Sequence, residues 1–150
     1  MATKYIFTKQ NLEFFCIKFE ILEKKKKLAD QKGLTRIKDR YLKFSELYKK
    51  AQQNDILMTR GSFAWFIHRI FKIITIQSNT GPWIIGTENN RGIIHMKLYM
   101  KSMNEYDIAL WDGKHLSILP FSQYSYPWAK RWKDGYGQPP PNELAKIPFP

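Results

Sequence analysis

Between residues 11 and 53 the apolar positions fall on two stripes of helical period. Leu12, Phe15, Phe19 and Leu22 recur at i, i+3, i+7 and i+10, and Ile37, Tyr41, Phe44 and Tyr48 at i, i+4, i+7 and i+11. Between them runs Lys-Lys-Lys-Lys-Leu-Ala-Asp-Gln-Lys-Gly, in which Gly33 is a natural break. The pattern predicts an antiparallel helical hairpin, with one long helix bent at Gly33 as the alternative. Each stripe is narrow, so both helices must pack on each other or on a partner. A third, shorter amphipathic helix is expected in 63–74, where Phe63, Phe66, Ile67, Ile70 and Ile74 share a face and Thr59 or Ser62 can cap the start. Residues 73–76 are β-branched and equally compatible with a strand. Arg69 and Lys72 on this aromatic segment suit either a core helix or an interfacial one.

From Gln77 onward the pattern shortens. Gln-Ser-Asn-Thr-Gly-Pro reads as a loop, and residues 83–85 and 93–100 as two strands of a β-hairpin turning through residues 87–92. Residues 106–111 predict another strand, turned by Asp112-Gly113 into 114–119. The expected fold class is therefore α+β: a helical hairpin or bent helix, a short amphipathic helix, a small antiparallel sheet and an extended C-terminal tail. Three regions follow: a basic helical part at 1–54, a small α+β core at 55–120, and an aromatic, proline-rich tail at 121–150. That tail contains Trp128, Trp132, Tyr136 and the run Pro139, Pro140 and Pro141, a composition suited to extended chain.

Charge sharpens the picture. The 150 residues carry a net charge of +12, which favours an anionic partner. The excess is concentrated in residues 1–54, with fourteen Lys and Arg against six acids. Lys24, Lys25, Lys26 and Lys27 form either a solvated helix end or a contact to phosphate or anionic lipid headgroups. The one cysteine, Cys16, lies in an apolar stretch and reads as a small buried hydrophobe in a reducing compartment. The start of the chain lacks a secretory signal pattern, and the longest apolar run, 63–76, is interrupted by His68, Arg69 and Lys72.

Chemistry-bearing patterns are sparse. His68, His95 and His115 have no His or Cys neighbour at ligand spacing, so no metal is expected. Asp112 and Asp134 precede glycine and read as turn formers, and Gly135-Tyr136-Gly137 has no helix behind it to hold a phosphate. No nucleophile elbow, phosphate loop or dinucleotide fingerprint occurs. An enzyme, a cofactor and a small-molecule substrate are not expected. Basic residues interleave with aromatics in 128–133, which could stack bases, but large aromatics in an extended tail fit a protein surface better. Trp83, Trp111, Trp128, Trp132, Tyr136, Pro139, Pro140 and Pro141 are the candidate interface residues.

The second half of the chain resembles a family of accessory subunits of mitochondrial NADH:ubiquinone oxidoreductase (complex I), the alpha-subcomplex subunit twelve and mimitin family. Ile85-Gly86-Thr87-Glu88, turning to Gly92, looks like its hairpin. Trp128 and Trp132 look like its tryptophan pair, and Pro139-Pro140 like its diproline. The family's Tyr-Tyr-Glu after the turn is Ile94-His95-Met96 here, and its tryptophans stand three apart rather than four. The resemblance covers roughly residues 60–141. It implies a non-catalytic subunit, peripheral on the matrix side of the inner membrane, bracing neighbouring subunits with its helices and tail. The alternative reading is a lineage-specific mitochondrial ribosomal protein whose basic helices contact ribosomal RNA.

Overall fold

The computed structural model describes residues 5–104 and 107–119. The chain enters as strand β1 (Tyr5–Thr8) and turns directly into the long helix α1 (Lys9–Lys32). Thr8 and Asn11 fix that corner reciprocally: Thr8 Oγ1 accepts from the Asn11 N–H at 3.1 Å, and Asn11 Oδ1 accepts from the Thr8 N–H at 3.0 Å. Gly33 ends α1 with φ 67°, a left-handed cap that its missing β-carbon permits. The predicted break is therefore where the sequence places it.

The second predicted helix is not continuous. It divides into α2 (Ile37–Arg40), β2 (Leu42–Lys43) and α3 (Phe44–Gln53), because Tyr41 adopts extended backbone at φ −125° and ψ 170°. Leu42 and Lys43 then pair with Ile84 and Trp83, so sheet hydrogen bonds replace a helical turn. The helical hairpin consequently becomes one long helix followed by two short ones. Next come α4 (Arg60–Phe71), β3 (Ile73–Ser78), β4 (Gly81–Thr87), a single 3₁₀ turn, α5 (Arg91–Lys101), β5 (Ile108–Trp111) and β6 (Leu116–Leu119). Thr59 caps α4 by accepting from the Ser62 N–H, one of the two caps expected. The mixed α+β class is as the sequence predicts, with two antiparallel three-stranded sheets ordered β1-β5-β6 and β2-β4-β3.

One segment differs outright from its expected form. Residues 93–100 are helix, and the hairpin partner of β4 is β3, joined to it through the tight turn read as a loop. The stretch satisfies two periods at once. Ile94, Met96, Leu98 and Met100 alternate as in a strand, whereas Gly92, Ile93 and Met96 share a helical face, and all three are buried. Close packing decides between them. A β-carbon on Gly92 would meet the Phe71 Cα at 2.5 Å and the Ile70 carbonyl oxygen at 2.6 Å, so α5 lies against the α4 backbone itself. The family-like hairpin at 85–92 is correspondingly a strand that runs into a helix.

A single hydrophobic cluster runs across the expected boundary at residue 54, from Phe7 and Phe15 through Leu47 and Phe66 to Trp111. The predicted stripe Leu12, Phe15, Phe19 and Leu22 is wholly inside it. Gly92→Ala should therefore push α4 and α5 apart. An equilibrium urea titration is expected to show a loss of about 1–3 kcal/mol, as for overpacked cores.

Candidate docking surface

The inward stripe of α1 dictates what its opposite face carries. At about 100° per residue, Ile17, Ile21, Lys24 and Leu28 line up on the side away from the core. Ile94, Leu98 and Lys101 do the same on α5. The two helices pack side by side, and a Lys97–Glu20 ion pair spans them. Ile17, Ile21, Leu28, Ile94 and Leu98 are each between 44% and 59% exposed, which is far more than a helix needs merely to cover a core. Two aliphatic rows thus stand on adjoining helices with lysines among them.

Both signs of charge border these rows: Glu13 is exposed one turn before Ile17 on the outward face of α1, while Lys24 and Lys101 stand within the rows themselves. Three acids of α1 are already matched within the chain: Glu20 by Lys97, Glu23 by Lys26 at 3.3 Å, and Asp30 by Arg40 at 2.7 Å. The Glu20 carboxylate, through its hydrogen bond and then its charge, holds the Lys97 ammonium above its ordinary range. The four-lysine run splits. Lys25 donates to the Tyr41 carbonyl at 2.8 Å, and Lys26 lies over Gly86, where the missing side chain leaves room for it. Lys24 and Lys27 are exposed, so the run is half internal scaffold and half outward charge. Such pairs at the surface are worth little stability individually, and they chiefly set the sign of the field.

The tryptophan candidates separate. Trp111 is 2% exposed and packs edge-on against Phe66 at 5.2 Å, so it belongs to the chain's own core rather than to an interface. All four residues of β5 are buried, so the strand has no solvent face on which Trp111 could stand. Trp83 is half-buried, and its indole N–H reaches Ser78 Oγ and Thr80 Oγ1 at 3.0 and 3.1 Å, which ties down the β3–β4 turn. Trp65, which was not among the candidates, is 53% exposed and donates to the Gly113 carbonyl. Trp128, Trp132, Tyr136, Pro139, Pro140 and Pro141 lie outside the described residues. The outward rows themselves were readable from the i, i+4 spacing of Ile17 with Ile21 and Ile94 with Leu98. On α1 the inward stripe is the longer and stronger of the two, and residues 94–98 also satisfy strand spacing, so neither pair stands out locally.

Cys16 is buried, as its apolar surroundings predict. Burial, and then the Glu20 carboxylate, push its thiol up to about 11. Among the described residues no three His, Cys, Asp or Glu side chains come together to hold a metal ion. No helix among them is long and apolar enough to cross a membrane. No protein-family model matches the chain, and neither does any curated protein or solved structure.

The Cys16 environment has a measurable consequence. Iodoacetamide at pH 8 should label the native chain at least tenfold more slowly than the urea-unfolded chain, because thiolate is the reacting form. A folded value raised above the unfolded one means that the neutral thiol is the form the fold favours. Stability from this group is thus complete below about 9 and is lost as pH rises from there towards 11, which a urea series across that window would record.

Proposed function

We propose that the chain is a non-catalytic structural subunit of a larger protein assembly, docking through the outward rows of α1 and α5. The observation that carries this reading is the pair of exposed aliphatic rows, Ile17, Ile21 and Leu28 beside Ile94 and Leu98, which gathers five of the exposed large apolar side chains on two adjoining helices, whereas Leu34, Leu57, Trp65 and Ile74 are exposed on other elements. Exposed lysines flank the rows, and of the acids on α1 Glu20, Glu23 and Asp30 are paired internally, which leaves Glu13 at the start of its row. The fitting occupant is accordingly a protein surface with an apolar ridge and an acidic border. Aliphatic side chains at the centre and charge at the rim is the usual anatomy of such a contact.

The assembly we infer is respiratory complex I, with this chain peripheral on the matrix side of the mitochondrial inner membrane. That identification rests on the tail motif alone, Trp128 and Trp132 followed by Pro139 and Pro140, because the hairpin-like segment is a strand and a helix. The tail supplies large aromatics and prefolded proline, which lose little freedom on binding. A second reading, a mitochondrial ribosomal protein on RNA, is favoured by Lys24 and Lys27, which project from the basic third of the chain.

Ile17→Lys with Leu98→Lys should leave the unfolding free energy within about 0.5 kcal/mol of the parent, since both sites are exposed. The pair should nevertheless release the chain from the high-mass fraction of native membranes on a density gradient. Trp128→Ala with Trp132→Ala should release it likewise. Undiminished incorporation of both double variants contradicts the proposal. Loss of the parent chain with ribosomal RNA at high salt moves the assignment to the second reading.

A further inference from the structure

The flank of α5 turned away from α1 carries different chemistry. A cavity of about 330 Å³ opens between the C-terminal end of α4, this flank and the β5–β6 turn. Arg69 and Lys72 reach its wall from α4 and its cap, Lys114 and His115 from the turn, and His95 and Tyr99 from α5. Among the described residues that line it, none has a carboxylate. Asp112 stands just outside and is used locally, accepting from the backbone N–H groups of Lys114 and His115 at 2.8 and 2.7 Å. It thereby orders the turn that presents two of the basic groups.

Two features suggest that this concentration of charge is not incidental. Lys72 caps α4 in the left-handed region, at φ 49° and ψ 53°, where glycine would be relaxed and a residue with a β-carbon is not. A cation is kept there against local preference. Second, the Tyr99 hydroxyl is buried with no hydrogen-bond partner among the described residues, a costly state for a donor. Burial pushes this phenol up to about 12, so it stays a neutral donor.

We propose that this cavity binds a phosphate monoester, with Arg69, Lys72 and Lys114 neutralising the dianion and Tyr99 turning its now covered hydroxyl into the cavity to donate to one of its oxygens. A single carboxylate would leave most of these donors unmatched, whereas a phosphate offers three terminal oxygens and close to two charges. The same chemistry occurs in soluble phosphorylated metabolites and in the headgroup of phosphatidic acid. The site lies on the other flank of α5 from Lys97, so it stands or falls independently of the docking face.

The test uses the full chain with two probes: glycerol 3-phosphate in calorimetric titration, and phosphatidylcholine vesicles with and without phosphatidic acid in flotation. Saturable binding of glycerol 3-phosphate assigns the soluble source, and flotation only with phosphatidic acid assigns the headgroup. Either supports the site, provided that Arg69→Gln with Lys114→Gln weakens binding at least tenfold and Lys24→Gln with Lys27→Gln does not. Tyr99→Phe should weaken binding about threefold or more while raising the thermal midpoint of the free chain, because it removes an unpaired buried hydroxyl. A purely structural tyrosine would not move the two readouts in opposite directions. The proposal is overturned if neither probe binds, if the Lys24 and Lys27 control loses binding equally, or if only an RNA oligonucleotide binds.

Discussion

Phe15 of α1 makes ring contact with Phe7, Phe14, Phe63, Phe66 and Phe71, at centroid separations of 5.3 to 6.4 Å. Phe66 in turn stacks on Phe7 at 4.7 Å and meets Trp111 edge-on. These rings come from β1, α1, α4 and β5, so one aromatic cluster joins elements that are far apart in sequence. Each buried phenyl contributes about 1.5–3 kcal/mol, and favourable ring pairs add roughly 0.5–1.5 kcal/mol more. With its middle filled in this way, a chain of this size can hold two small sheets that would be marginal alone. The helices and strands packed around the cluster take their orientation from it.

Its first consequence is rotational. Once Leu12, Phe15, Phe19 and Leu22 face inward, Ile17, Ile21 and Leu28 have no choice but to face outward. The same holds for α5. Gly92, Ile93 and Met96 seat it on α4, which aims Ile94 and Leu98 at solvent, Lys97 at α1, and His95 and Tyr99 at the basic cavity. One helix therefore borders two surfaces of different character, an exposed aliphatic face and a cationic hollow. The aromatic core and the candidate sites are thus linked through helix geometry rather than through shared residues.

The parts legible from sequence are those governed by a single strong period or a single special residue. The α1 stripe, the Gly33 stop, the Thr59 cap, the buried Cys16 and the β5–β6 turn at Asp112-Gly113 are all of this kind. Failures occurred where two periods coexist or where a distant partner decides. Residues 93–100 satisfy both strand and helix spacing, and only the backbone contact at Gly92 resolves them. The second stripe was cut at Tyr41 because β4, some forty positions on, offers Leu42 and Lys43 sheet hydrogen bonds. β1 was missed because its four residues pair with a strand about a hundred positions away. The candidate surfaces were less legible still. Trp111 is buried against Phe66, a partner distant in sequence, and the cavity likewise assembles residues from 69 to 116 that no local pattern connects.

The central claim is that the outward rows of α1 and α5 are covered by protein in the chain's native setting. Carbene footprinting of side chains, read by mass spectrometry on the purified chain and on the native high-mass fraction, addresses it most directly. Ile17, Ile21, Leu28, Ile94 and Leu98 should be labelled in the free chain and at least severalfold protected in the assembly, while Trp65 should be labelled equally in both. Equal labelling of the five aliphatic residues in the two states would contradict it.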